Sequence, residues 1–129
     1  MAEIRKLERV LQFRTLPRIA PVGDGFACLE CPKCGYNGNL HHAAVTTYNR
    51  SEDAKRTLET NVDIGGIASH AIVPSEASSN PSSRRHGVAI ELWCECCLGE
   101  YELCLSQHKG NTFLEWRKSR RSFRPQQQL

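Results

Sequence analysis

The chain has 129 residues, 40% of them hydrophobic, and sets 17 lysines and arginines against 14 aspartates and glutamates, a formal net charge of +3. This is the length of one domain with a modest core, and with neither an apolar run long enough to span a bilayer nor a hydrophobic N-terminal signal region it reads as a soluble cytoplasmic protein. The charge is segregated: residues 1–18 sum to +3 and those after Trp116 to +5, which leaves the middle at −5 and excludes a uniformly basic nucleic-acid module.

In chain order, Ile4, Leu7, Val10 and Leu11 recur at helical spacing among charges, which predicts an amphipathic helix over 2–16 that ends at Pro17. An extended reading of 10–19 competes with it. Residues 21–25 read as a turn, and 26–29 as a short strand that enters Cys31-Pro32-Lys33-Cys34-Gly35. Proline after the first cysteine fixes φ. Glycine after the second permits the positive φ that lets backbone amides face the sulfurs.

Far downstream, 87–93 and 101–106 both alternate apolar and polar residues, which predicts a β-hairpin. Val88, Ile90 and Leu92 share one face of it, and Tyr101, Leu103 and Leu105 share one on the return. The turn between them is Cys94-Glu95-Cys96-Cys97-Leu98-Gly99. Two thiolates three positions apart on each of two turns can surround one ion, so Cys31, Cys34, Cys94 and Cys97 are the expected ligands of a structural metal. Cys96 intrudes on the second pair, and its glycine comes two residues after Cys97. The spacing favours Cys94 with Cys97 over a pair using Cys96, and Cys28 with Cys31 is a further rival that lacks the flanking proline and glycine.

The C-P-x-C-G pentapeptide and the C-x-x-C of 94–97 resemble the two knuckles of zinc ribbons. The resemblance implies a small, mainly β fold: a three-stranded antiparallel sheet around Zn2+, with the N-terminal helix and a long inserted loop added. The domain boundaries expected on this reading are 1–20 for the helix and basic arm, 21–116 for the ribbon with an insertion at 50–86, and 117–129 for a basic tail. Zinc suits four thiolates without redox duty. Iron, as in rubredoxin-like sites, is the rival metal. Seven cysteines in a reducing compartment point to metal rather than disulfides.

Between the knuckles, 40–48 is rich in β-formers and predicts a strand that points His41 and His42 to opposite faces, so that only one could reach the cysteines. Residues 51–58 carry an N-cap serine followed by acids and predict a short helix. Ile64-Gly65-Gly66-Ile67 reads as a turn and lacks the lysine of a phosphate loop. Residues 74–85 are serine, asparagine and proline and read as an exposed excursion. Beyond the hairpin, 108–111 is a turn and 112–116 a third strand.

With four sulfurs the ion has no open position, so the metal is scaffold and the chain is read as non-enzymatic. No H-x-E precedes the first knuckle, which excludes the zinc-deaminase signature. A nuclease-like enzyme with a His/Cys site is an alternative drawn from His41, His42, His70 and His86, and Cys96 is a candidate nucleophile dulled by neighbouring thiolates. Two binding roles remain. In one, Arg84, Arg85, Lys109, Arg117, Lys118, Arg120, Arg121 and Arg124 meet phosphates of a nucleic acid, with aromatic rings as stacking faces. In the other, favoured here, the acidic hairpin with Glu91, Glu95, Glu100 and Glu102 meets a protein partner. The hairpin and its H-K-G-N-T-F-L-E-W continuation are also similar to small phage and mobile-element proteins, which implies an accessory or host-defence-inhibiting role.

Overall fold

A computed structural model describes residues 13–119. Eight strands account for its regular structure: β1 (Ile19–Gly23), β2 (Phe26–Leu29), β3 (Leu40–Asn49), β4 (Arg56–Val62), β5 (Ala68–Pro74), β6 (Gly87–Cys94), β7 (Glu100–His108) and β8 (Asn111–Lys118). β1 and β2 form a separate hairpin. The other six make one antiparallel sheet in the order β5-β4-β3-β6-β7-β8. The three-stranded ribbon expected from the sequence is therefore only the β6-β7-β8 half of a larger sheet.

The hairpin around the second knuckle forms as its alternation predicts. Leu92 pairs with Tyr101, Ile90 with Leu103 and Val88 with Leu105, so both apolar sets share one face. β8 adds Trp116 opposite Leu103 and Leu114 opposite Leu105 on that same face. The turn before β8 places Lys109 and Gly110 at positive φ. On the other side β3 pairs with β6, and a bulge between His42 and Val45 lets Ala43 and Ala44 both be buried.

Three further expectations are corrected. The helix over 2–16 lies largely outside the described residues, and its last four residues, 13–16, are not helical. Their backbone is committed elsewhere: the Arg14 N–H donates to the Pro32 carbonyl at 2.8 Å, and the Trp116 N–H donates to the Thr15 carbonyl at 2.7 Å. The helix expected at 51–58 is a short turn followed by β4, because residues 58–62 pair with β3 and the whole strand pairs with β5. The insertion is thus not a loop but a hairpin that extends the sheet. Its turn is where the glycines predict, with Asp63 Oδ1 accepting from the Gly65 and Ile67 N–H groups at 2.9 Å each.

Residues 75–86 begin with one 3₁₀ turn, Ser75–Ala77, and lie against the sheet rather than leaving it. Tyr48 and Ser79 share a hydroxyl–hydroxyl bond of 2.9 Å, the Ser78 hydroxyl donates to Glu59 at 2.6 Å, and the Ser82 hydroxyl donates to the Gln107 carbonyl at 3.2 Å. A Cβ at Gly87 would collide with Asn80, so the glycine admits the returning chain.

The two faces of the sheet differ. One is polar where β3, β4, β6 and β7 meet, with Thr46, Thr57 and Glu91 buried beside Tyr48, Ala89 and Cys104. The other is apolar and carries the main core at one end, where Cys31, Leu92, Cys94, Tyr101 and Trp116 are buried and Phe13, Leu29, Leu40, Ile90 and Leu103 pack around them. The segment from Phe13 through the first knuckle covers that end. Among the described residues, no helix is long and apolar enough to cross a membrane.

Candidate metal centre

Each cysteine pair sits on a tight turn, and the two turns have the same backbone bonds. In the first, the Gly35 N–H donates to the Cys31 carbonyl at 3.0 Å and the Cys31 N–H to the Tyr36 carbonyl at 2.9 Å. In the second, the Leu98 N–H donates to the Cys94 carbonyl at 2.9 Å and the Cys94 N–H to the Gly99 carbonyl at 3.0 Å. Gly35 and Leu98 both have positive φ, 78° and 59°. The missing glycine after Cys97 is therefore no departure in geometry, since leucine adopts the same left-handed conformation.

This equivalence decides which sulfurs converge. The amides of Lys33 and Cys34 pull the Cys31 thiol down, and those of Cys96 and Cys97 act in the same way on the Cys94 thiol. Cys96 thus holds the place of Lys33, supplying its amide while its side chain points to solvent, where it accepts a 3.1 Å bond from Asn39. Cys28 lies on β2 outside the cluster.

The sulfurs of Cys31, Cys34, Cys94 and Cys97 all lie within 4.8 Å of one another. Cys31–Cys97 and Cys34–Cys94 are both 3.7 Å apart, joining turns 66 and 60 residues distant in sequence. A disulfide would need about 2.05 Å. A tetrahedron with ~2.3 Å metal–sulfur bonds has edges of about 3.8 Å. The donor set and its spacing fit a metal with four thiolates, and all seven cysteines are free of disulfides.

Electrostatics agree. Burial pushes the Cys31 and Cys94 thiols up, against the pull of the knuckle amides. Burial acts in the same sense at Cys97, but there the Tyr101 hydroxyl, the Gly99 amide and the neighbouring thiols outweigh it and leave the group below its ordinary value. Sulfurs buried this closely repel one another once ionised, and a divalent cation removes that cost.

The histidines do not join the site. His41 stacks on Trp93 with centroids 4.5 Å apart and meets Glu95 at 2.9 Å, and His42 is exposed. His70 bonds Thr60 at 2.9 Å, and His86 Nδ1 accepts from the Arg50 N–H at 2.9 Å. Four of the five proposed phosphate contacts among the described residues are engaged within the chain. Arg84 forks onto Asp53 with bonds of 2.8 and 2.5 Å, and Arg85 lies 4.0 Å from Glu52. Arg117 donates to Glu102 at 2.5 Å, and Lys118 sits 5.6 Å over the Phe13 ring. Lys109 is exposed in the β7–β8 turn, and Arg120, Arg121 and Arg124 lie outside the described residues.

Sequence reasoning missed Tyr101, whose hydroxyl lies 3.2 Å from Cys97 Sγ. Its position in an alternating strand marks it only as a core residue. No family model, curated protein or solved structure matches this chain.

Proposed function

We propose that the chain is a non-enzymatic module built on a structural Zn2+ held by Cys31, Cys34, Cys94 and Cys97, and that it works by binding another protein. The observation that carries the metal reading is the set of four sulfurs within 4.8 Å of one another, with two pairs at 3.7 Å. Such a set supplies folding energy and leaves no position for water or substrate, so the ion stitches the start of the fold to its end without doing chemistry. Zinc is favoured over iron because nothing in the arrangement needs electron transfer, and free thiols suit a reducing cytoplasm.

The protein-binding reading is supported by the sheet's apolar face beyond the metal end. Leu58, Val62, Ile72 and Leu114 are exposed there, with Ile72 at 67%, and no described residue covers them. Exposed apolar side chains gathered on one open sheet face mark interaction sites. The nucleic-acid reading has less support, since Arg84, Arg85 and Arg117 face carboxylates. On this reading an accessory or host-defence-inhibiting role would make a host protein the partner.

Native mass spectrometry with metal analysis tests the first part. One zinc per chain is expected, lost in Cys34→Ser and kept in Cys96→Ser. Binding to random-sequence DNA at low salt tests the second, and a salt-sensitive complex there would replace the protein-binding reading.

A further inference from the structure

Four thiolates around a divalent ion carry a net charge of −2, and a partly buried site of that charge needs donors. The knuckle amides supply some to Cys31, Cys94 and Cys97. Two of the four cysteines, Cys31 and Cys94, are buried, while Cys34 and Cys97 are half-buried. These last two differ in their side-chain donors. Cys34 meets the Cys94 sulfur at 3.7 Å and no side-chain N–H or O–H among the described residues, whereas Cys97 Sγ has the Tyr101 hydroxyl at 3.2 Å.

Tyr101 is fixed from several sides. It is 4% exposed, stacks on Phe13 with centroids 5.8 Å apart and meets Trp116 edge-on at 6.3 Å. A Cβ at Gly99 would collide with its hydroxyl, so the glycine two residues after Cys97 is what admits the phenol to the sulfur. That assigns a purpose to the displaced glycine: the left-handed position of the knuckle went to Leu98, and Gly99 makes room for Tyr101.

We infer that Tyr101 is a positioning residue of the metal centre, donating its O–H to the Cys97 thiolate and retaining the ion on the second knuckle. A metal-bound thiolate has no proton to give, so the phenol is the donor. Sharing charge with Cys97 lowers that sulfur's reactivity toward electrophiles, and leaves Cys34 as the sulfur at which metal release begins. The inference rests on the metal reading above.

Its test is the metal affinity of Tyr101→Phe, read by competition with a chromophoric chelator, together with the sulfur-to-metal charge-transfer band of the Co2+-loaded protein. Loss of the donor should weaken binding about 10–100-fold, speed metal release and shift the band. Tyr48→Phe, which loses a hydroxyl bonded to Ser79 on the opposite face, should change none of these. A fluorotyrosine placed at 101 is a stronger donor and should move the band in the opposite direction, a readout that remains if Tyr101→Phe fails to fold. Unchanged affinity and band in Tyr101→Phe, equal losses in both phenylalanine variants, or a band indifferent to fluorination overturns the role. A wild-type chain that binds neither Zn2+ nor Co2+ overturns the metal reading itself, and Tyr101's role with it.

Discussion

Leu98 occupies in the second knuckle the place that Gly35 occupies in the first. Each donates its amide to the carbonyl of the cysteine four residues back, and each has φ in the left-handed region. For an L-residue that conformation costs roughly 1–2 kcal/mol, part of which glycine would return as chain entropy in the unfolded state. Leu98→Gly should therefore stabilise the metal-loaded protein by about 0.5–1 kcal/mol, and Leu98→Val should destabilise it. Chemical denaturation of the three proteins at equal metal loading checks the order.

The same equivalence separates exposed Cys96 of the second knuckle from half-buried Cys34 of the first. Cys96 should react with an alkylating reagent while the metal stays bound, because it contributes an amide and no sulfur. Modification at Cys34 should instead accompany release of the ion. Mass spectrometry after limited alkylation, with metal analysis of each species, gives the order of events. Metal loss that tracks Cys96 modification would reverse the ligand assignment.

Arg117 behaves as a structural residue in a site where the sequence suggests a phosphate contact. Glu91 and Glu102 stand directly opposite each other on β6 and β7, Arg117 is opposite Glu102 on β8, and its guanidinium donates to that carboxylate. Like charges facing across a ladder destabilise it, and the pair is only partly open to solvent. Arg117→Ala should cost about 2–3 kcal/mol, somewhat less than the 3–5 of a fully buried pair broken on one side. Arg84→Ala removes an exposed pair with Asp53 and should leave the unfolding midpoint nearly unchanged, as most surface pairs do.

Cys104 sets an alkaline limit. Burial pushes its thiol from the ordinary 9.0 up to about 11. A thiol whose folded value is raised favours the folded state fully below the unfolded value and loses that contribution as pH climbs through the folded one. Stability should fall by roughly 2 kcal/mol between pH 9 and 11 from this group, and less in Cys104→Ala. Urea midpoints measured across that range for both proteins give the difference. In native protein below pH 9 the Cys104 thiol should resist alkylation, being wholly buried.

The second half of the chain was legible because its alternation is apolar against polar. Residues 88, 90 and 92 and residues 101, 103 and 105 carry their own face assignment. β4 was not legible for the opposite reason. Its inward residues on the polar face are Thr57, Glu59 and Asn61, and its apolar ones, Leu58 and Val62, are exposed, so the alternation is present but inverted. The serine and acids at 51–53 are local cues for a helix start, and they lose to the ladders that β3 and β5 offer on either side. The serine-rich stretch at 75–86 looks solvent-bound for want of apolar residues. It docks through hydroxyls instead, and no periodicity records that.

By itself the sequence determined the two cysteine turns, the hairpin that carries the second and the strand that follows. Those features are written in spacing, turn residues and period-two patterning, all of which act over a few residues. Only the tertiary structure decided that Cys97 and not Cys96 faces the other sulfurs, that Tyr101 stands beside it, and that the insertion is sheet. The first and third depend on groups far apart in the chain meeting. The second, though Tyr101 is only four residues from Cys97, depends on Phe13 and Trp116 packing its ring in place. The free energy that selects them is absent until the chain has closed on itself.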